Sequence, residues 1–425
     1  SHGRQPTESY QQLLNYGTTF NDVHNLDAML GHEAYRSYRY SLGASRSKVF
    51  NPYNDELDGA LNDGRHGSNR SYYNTEGWFS RVQYNYDGTY FGSLSFRRDA
   101  SSRFHPDHRW GNVWSAGAAW IVTREDFFKR LRANWINNLK LKMSYGEQGN
   151  DNIGDYLYTK RYTLVNTDGM AALSPSGTMA NDNITWESGN NFNLGLEFGL
   201  LNNRISGQVE YFYRKTTDML FPQYLPRSYG YTMYYDNVGD MRNSGVEVEL
   251  NFGVVRTRDF QWNVGLNFTH YRNMITRLGD EHRTMQVDGH EGYTSGDNFY
   301  GEGLPLYSYY MRRYAGVDPT TGKALYYKDV YKKDANGEVM LAKFNNPIAE
   351  GTTTTDQYGE GSYYLLGTQL PDAYGGFSTS FSYKGFDLSA DFSYQLGGVG
   401  LDSYYMTTMR GFGSSDRGTA IHTDM

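Results

Sequence analysis

The chain has 425 residues, a formal charge of −7, 38% hydrophobic residues and a mean hydropathy of −0.72. It contains no cysteine, which removes disulfides, thiolate metal sites and cysteine nucleophiles, and its acidic balance gives no reason to expect nucleic-acid binding. No apolar run approaches the roughly 18–20 residues of a membrane helix, a test that says nothing against a membrane crossed by strands.

Apolar and polar residues alternate with a period of two along about twelve segments of near ten residues or longer, the length of a membrane-crossing strand. In chain order they span 9–20, 25–46, 76–86, 89–100, 111–122, 137–148, 188–200, 204–219, 244–255, 259–276, 374–384 and 386–397. The pattern is clearest between Asn191 and Arg272. Phe192, Leu194, Leu196, Phe198 and Leu200 point one way, while Asn191, Asn193, Gly195, Glu197 and Gly199 point the other. Val246, Val248, Leu250, Phe252 and Val254 oppose Glu247, Glu249 and Asn251 in the same manner.

The connections alternate in length. Residues 21–24, 87–88, 201–203, 256–258 and 385 are short links, and 123–136 is a longer one with room for a short helix carrying Phe127, Phe128 and Leu131 on one side. Residues 47–75, 101–110, 149–187, 220–243 and 277–373 are long. Tight periplasmic turns and long extracellular loops produce this rhythm in an outer-membrane barrel, whereas a soluble sandwich has no reason for it. The 40 Tyr, 22 Phe and 7 Trp suit interfacial girdles and aromatic loops. The expected fold is therefore all-β, an antiparallel transmembrane β-barrel in a bacterial outer membrane. Both ends of the chain fall on the long-loop side, so the expectation is a partial barrel, an interior segment with strands missing at both ends.

No phosphate-binding loop, dinucleotide fingerprint or nucleophile elbow occurs, and the 10 histidines lack ligand spacing. The reading is a protein without catalytic residues, metal or cofactor. Substrate contacts then fall to loop aromatics, which stack on sugar rings, and to loop charges. The candidates are Tyr229, Tyr231, Tyr234, Tyr235 and Asp236 in one loop, and Tyr309 and Arg312 in another. Girdle or loop packing competes for the same tyrosines. A second set lies on the polar strand faces: Glu197, Arg204, Glu210, Arg214, Glu247 and Glu249.

Several stretches resemble the SusC/RagA family of TonB-linked outer-membrane proteins. They are Leu141 to Gly146 with Gly149-Asn150 and Ile153 to Tyr156; Trp186-Glu187 with Lys215 to Leu220; Asn237 to Glu247; Gly316 to Gly322; and Tyr374 to Phe377 with Tyr383 to Leu388. They occur in the family's order across most of the chain. The resemblance implies a barrel of about twenty-two strands around an N-terminal plug, a SusD-like surface lipoprotein as lid, and import of oligosaccharides or oligopeptides driven by the TonB complex through an N-terminal region not in this chain. It makes Glu197, Arg204, Glu210, Glu247 and Glu249 candidates for a lumen wall facing the plug. The alternatives are a siderophore-type TonB receptor, a self-contained pore or adhesin, and a soluble sandwich.

Overall fold

The computed structural model describes residues 2–402 apart from Pro52 and Asp55. β1 (His2–Arg4) and β2 (Thr7–Phe20) lie end to end along β3 (His24–Val49), interrupted at Gln5 and Pro6. β4 (Ala60–Tyr86), β5 (Tyr90–Ser101), β6 (Trp110–Ile121) and β7 (Ile136–Asn150) follow, each antiparallel to the last. The β6–β7 link holds the short helix α1 (Asp126–Arg130) where the sequence leaves room for one. A hairpin of β8 (Tyr162–Thr167) and β9 (Met170–Pro175) precedes β10 (Glu187–Leu200) and β11 (Ile205–Thr217). A second hairpin, β12 (Leu220–Tyr224) and β13 (Met233–Asn237), leads to β14 (Asp240–Arg256) and β15 (Phe260–Arg277).

The chain then forms β16 (Met285–Val287), β17 (His290–Ser295), β18 (Asn298–Gly301), β19 (Ser308–Arg312), β20 (Tyr314–Val317), β21 (Ala324–Tyr331), β22 (Ala349–Thr355) and β23 (Tyr363–Thr368). β20 to β22 make a three-stranded sheet, and the other five make a sheet of their own. β24 (Ala373–Tyr383) and β25 (Phe386–Leu396) complete a thirteen-stranded antiparallel sheet in the order β1-β3-β4-β5-β6-β7-β10-β11-β14-β15-β24-β25, with β2 also on β3. Twelve of these strands coincide with the alternating segments of the sequence, with ends displaced by a few residues except at β4, which begins at Ala60 rather than at 76. Two compact units divide the described residues: 2–269, 276–281 and 376–392, and 270–275, 282–375 and 393–402.

Within the first unit, register turns alternation into a belt. Leu14 lies opposite Leu30, Ala28 opposite Val82, Val82 opposite Leu94 and Leu94 opposite Ala116. Met143 faces Ala118 and Leu194; Leu196 faces Leu141 and Val209; Val209 faces Val248. A slip of one residue anywhere would send half of this belt to the polar face. The belt is bare: Leu30 is 53% exposed, Leu94 57% and Met143 51%. A sandwich would bury these side chains under a second sheet, so the uncovered belt belongs against lipid.

Aromatic rings border the belt at its short-turn end. Phe20, His24, Tyr86, Tyr90 and Trp120 run side by side with centroids 4.8 to 6.3 Å apart. The Tyr90 hydroxyl and Trp120 Nε1 both donate to Glu125 at the head of α1. At the other end, Trp114 packs on Tyr145 at 5.2 Å and His32 on Trp78 at 4.3 Å. Two tight turns lie where they are expected, each one residue longer than the sequence suggests. Lys384 and Gly385 take positive φ at both positions, the turn whose twist suits a two-residue hairpin, and Asp87 and Gly88 do the same in a three-residue link completed by Thr89 between the paired Tyr86 and Tyr90.

Two long connections differ from the sequence reading. Residues 47–75 are mostly strand, because the β3–β4 ladder continues to Val49 and Ala60. Its Ser, Arg, Asn and Gly residues carry no apolar alternation to reveal it. Residues 277–373 hold eight short strands bounded by turns such as Asp288-Gly289. Replacing Leu196 or Val248 with Arg should cost about 2–4 kcal/mol at mid-membrane and reduce the heat-modifiable folded band on a gel. Glu197→Gln, on the opposite face, should leave that band unchanged.

Candidate functional site

The polar face of the first unit carries a charge network set by register. Lys140 and Lys142 alternate with Leu139, Leu141 and Met143 on β7, which turns both ammonium groups away from the belt. Their Nζ atoms lie 3.9 and 3.8 Å from Glu197 Oε2. Lys142 also donates to Gln208 Oε1 at 3.1 Å, and Gln208 Nε2 donates to Glu249 Oε2 at 3.1 Å. Asn251 donates to the other Glu249 oxygen at 3.2 Å. The chain of contacts therefore crosses four strands.

Glu210 and Glu247 stand directly opposite each other across β11 and β14, a like-charge pairing that is unfavourable in a sheet. They border a recess of about 230 Å3 with Gln208, Glu249, Asn267 and Thr269. A larger recess of about 580 Å3 is lined by Asp27, Lys140, Lys142, Glu210 and the small side chains Ser93, Gly117 and Ser144. Arg214 stacks on Phe212 at 4.9 Å, and Phe212 is buried on this polar face. Arg204 lies in the short turn just before β11, at the end of the wall. Lys140, Lys142 and Gln208 are the wall residues that the sequence reading passed over; the Leu-Lys-Leu-Lys alternation was the available signal.

At the long-loop end, Phe104, Ile153, Leu157 and Ile184 form a buried core, joined by Trp186, Leu220 and Tyr235. Trp186 Nε1 donates to the Arg109 carbonyl at 2.9 Å. Its ring lies so close to Gly111 and Gly149 that a Cβ there would meet it at 3.1 and 2.9 Å. Arg103 Nε donates to Asp155 at 3.1 Å, and Asp151 Oδ2 accepts from Tyr73 at 2.8 Å and Ser101 at 2.6 Å.

The loop candidates occupy distinct settings. Tyr229 is exposed in a turn closed by Gly230 at φ +75°, and Tyr231 is half-buried. Tyr235 packs on the core, and Asp236 accepts from Asn181 Nδ2 at 3.2 Å. Tyr234 lies opposite Gln223; burial raises its phenol pKa, helped by the charges of Asp236 and Glu281. Gln223 is fully buried, and neither its amide nitrogen nor its oxygen has a partner. No periodicity marks it.

In the second unit, Tyr309 is buried and its hydroxyl accepts from Leu401 N at 3.2 Å. Arg312 lies over Tyr358 and Tyr363 at 4.6 and 4.5 Å and donates to the Gly361 and Gly359 carbonyls. Tyr364 donates to Asp329; burial first, then that bond, pushes its pKa up to about 12. Among the described residues no group of three or more His, Cys, Asp or Glu side chains is placed to hold a metal ion. The arrangement offers recognition by aromatic faces, amides and charges.

A family model for the TonB-dependent receptor-like β-barrel matches residues 1–401. The chain belongs to that family of outer-membrane barrels. Its likeness runs to the SusC/RagA members. It is 30% identical over 325 residues to the TonB-dependent receptor SusC of Bacteroides thetaiotaomicron, covering 73% of this chain and 30% of SusC. It is 28% identical over 421 residues to the TonB-dependent receptor P39 of Formosa agariphila, covering 91% of this chain and 39% of P39. Superposition on the RagAB peptide transporter gives a TM-score of 0.79 at 30% identity, covering 92% of this chain and 41% of the other. The chain spans about two fifths of the length of the curated relatives it matches first.

The core at the long-loop end yields a direct test. Phe104→Ala removes a fully buried ring, at about 3–5 kcal/mol. Limited proteolysis should then cut residues 150–187 faster while the strands of the sheet stay protected.

Proposed function

We propose that this chain is the barrel-wall portion of a SusC-like TonB-dependent importer of oligopeptides or oligosaccharides. The single observation that carries the reading is the likeness to RagAB, which extends over 92–93% of the chain at about 30% identity. The bare belt and charged inner face support it, since a wall with lipid on one side and solvated charge on the other suits passage through the enclosed space.

The mechanism is gated transport without covalent chemistry. A SusD-like surface lipoprotein captures cargo as a lid, the loops receive it, and rearrangement of a plug, coupled to the TonB complex, admits it. In this scheme the exposed Tyr229 and the half-buried Tyr231 meet cargo or lid, Tyr235 and Asp236 fix the shape of the loop that presents them, and Tyr309 and Arg312 fix that of the loop in the second unit. Glu197, Glu210, Glu247 and Glu249 face the plug with Lys140 and Lys142, and the unmatched Glu210–Glu247 pair makes this stretch of wall attractive to a cationic side chain.

The test is purification of the intact protein from its native outer membrane, followed by uptake of labelled oligopeptides and oligosaccharides into cells. A co-purifying surface lipoprotein and uptake abolished by a proton-gradient uncoupler are expected. A barrel that isolates alone and conducts passively in a planar bilayer would replace the importer by a pore. Tyr229→Ala with Tyr231→Ala should lower uptake about tenfold at limiting cargo, with barrel assembly unchanged on a heat-modifiability gel.

A further inference from the structure

We propose that the outward face of β3 to β6, just past the apolar belt, binds the anionic phosphate headgroup of an outer-leaflet lipid. Register places the site. On β5, Leu94 and Phe96 belong to the belt, and Arg98 is the next side chain on that face. On β3, Leu30 is followed on the same face by His32, Ala34 and Arg36. Arg98 lies eight residues beyond the girdle residue Tyr90. At about 3.3 Å per residue and a tilt of roughly 40°, it stands about 20 Å above that girdle, near the upper margin of an apolar band about 25 Å tall. Arg36, twelve residues past His24, clears the band by the same reckoning, and the long Arg98 side chain snorkels toward it.

The chemistry of the patch fits a phosphate. Arg36, Arg109, Tyr38, Tyr72, Asn74 and Trp110 border a recess of about 590 Å3. Arg109 Nε is buried there without a hydrogen-bond partner. Arg98 lies over the Trp110 ring at 5.2 Å. Among the described residues none of these three guanidinium groups has an ion-pair partner. One cation on the inner face of β5 is treated differently. Arg97, the neighbour of Arg98 on the inner face, is paired with both Glu33 and Asp99. Arg103, in the connection between β5 and β6, is paired with Asp151 and Asp155.

Glu8 and Glu76 also border the recess. Glu76 is engaged by His32 Nε2 at 3.4 Å, and Glu8 faces Arg36 in register without forming an ion pair. Arg97 is thus matched by the protein's own carboxylates, while Arg36, Arg98 and Arg109 await an anion. Guanidinium forks match phosphate oxygens, and Trp and Tyr settle at headgroup level. Continuity with the lipid-facing belt makes a membrane lipid the occupant.

The test uses the barrel purified from its native outer membrane and placed in nanodiscs or micelles. Native mass spectrometry counts retained phosphatidylglycerol against phosphatidylcholine, with inorganic phosphate as competitor. Preferential retention of phosphatidylglycerol is expected, with about a tenfold loss in the triple variant Arg36→Gln, Arg98→Gln, Arg109→Gln. Arg39→Gln, on the inner face of β3, should leave retention unchanged. If the triple variant fails to assemble, the exposed single variant Arg36→Gln should still show about a threefold loss. Equal retention of the two lipids, or equal loss in Arg39→Gln, overturns the proposal. Displacement by inorganic phosphate without any lipid preference overturns the lipid source and leaves a soluble-anion site.

Discussion

A peptide group inside hydrocarbon has no water to bond, so every N–H and C=O there must find a partner on a neighbouring strand. That requirement fixes the ladder of this wall, and the ladder fixes everything attached to it. Because side chains change face at each residue, one register decides which groups meet lipid and which meet the interior. Leu94, Met143 and Leu196 reach a common belt only because Ser95, Lys142 and Glu197 are carried to the other side by the same bonds.

The two faces obey opposite rules of charge. Inside, carboxylates and cations are interleaved so that several find each other: Glu197 with two lysines, Glu33 and Asp99 with Arg97. The Glu210–Glu247 pairing does the opposite and leaves a local excess of negative charge on the wall. At the long-loop end the chain builds a small conventional core around Phe104 and Ile184, where apolar side chains are again buried. A single polypeptide thus uses lipid as the cover for one set of apolar residues and its own folded loops as the cover for another.

The strands were legible because period-two alternation survives wherever one face meets lipid. The turns were legible because Asp87-Gly88 and Gly385 supply residues that accept positive φ, and Lys384 is drawn into the second turn beside that glycine. What escaped was structure without that contrast. The outer part of the β3–β4 hairpin is exposed on both faces, so nothing in Ser41 to Lys48 or His66 to Ser71 distinguishes strand from loop. The small sheets after Arg277 are a few residues long and bounded by Gly turns, which reads as loop. Of the candidate site, the wall glutamates could be placed on a face by parity. Their partners Lys140, Lys142 and Gln208 lie on other strands, and pairing between strands is a property of register rather than of any one segment. The burial of Tyr235 and Tyr309 is set by contacts distant in sequence and leaves no local mark.

The β3–β4 ladder keeps an unbroken register from His24 opposite Tyr86 as far as Ala44 opposite His66. The portion above the bilayer therefore inherits the direction of the portion within it. At about 3.3 Å per residue, twenty residues of paired strand make an arm of roughly 66 Å. A change of about 5° in strand tilt would carry the far end of such an arm by roughly 6 Å. Small adjustments of the wall, too slight to disturb its hydrogen bonds, are in this way magnified into displacements the size of a side chain at the cell surface.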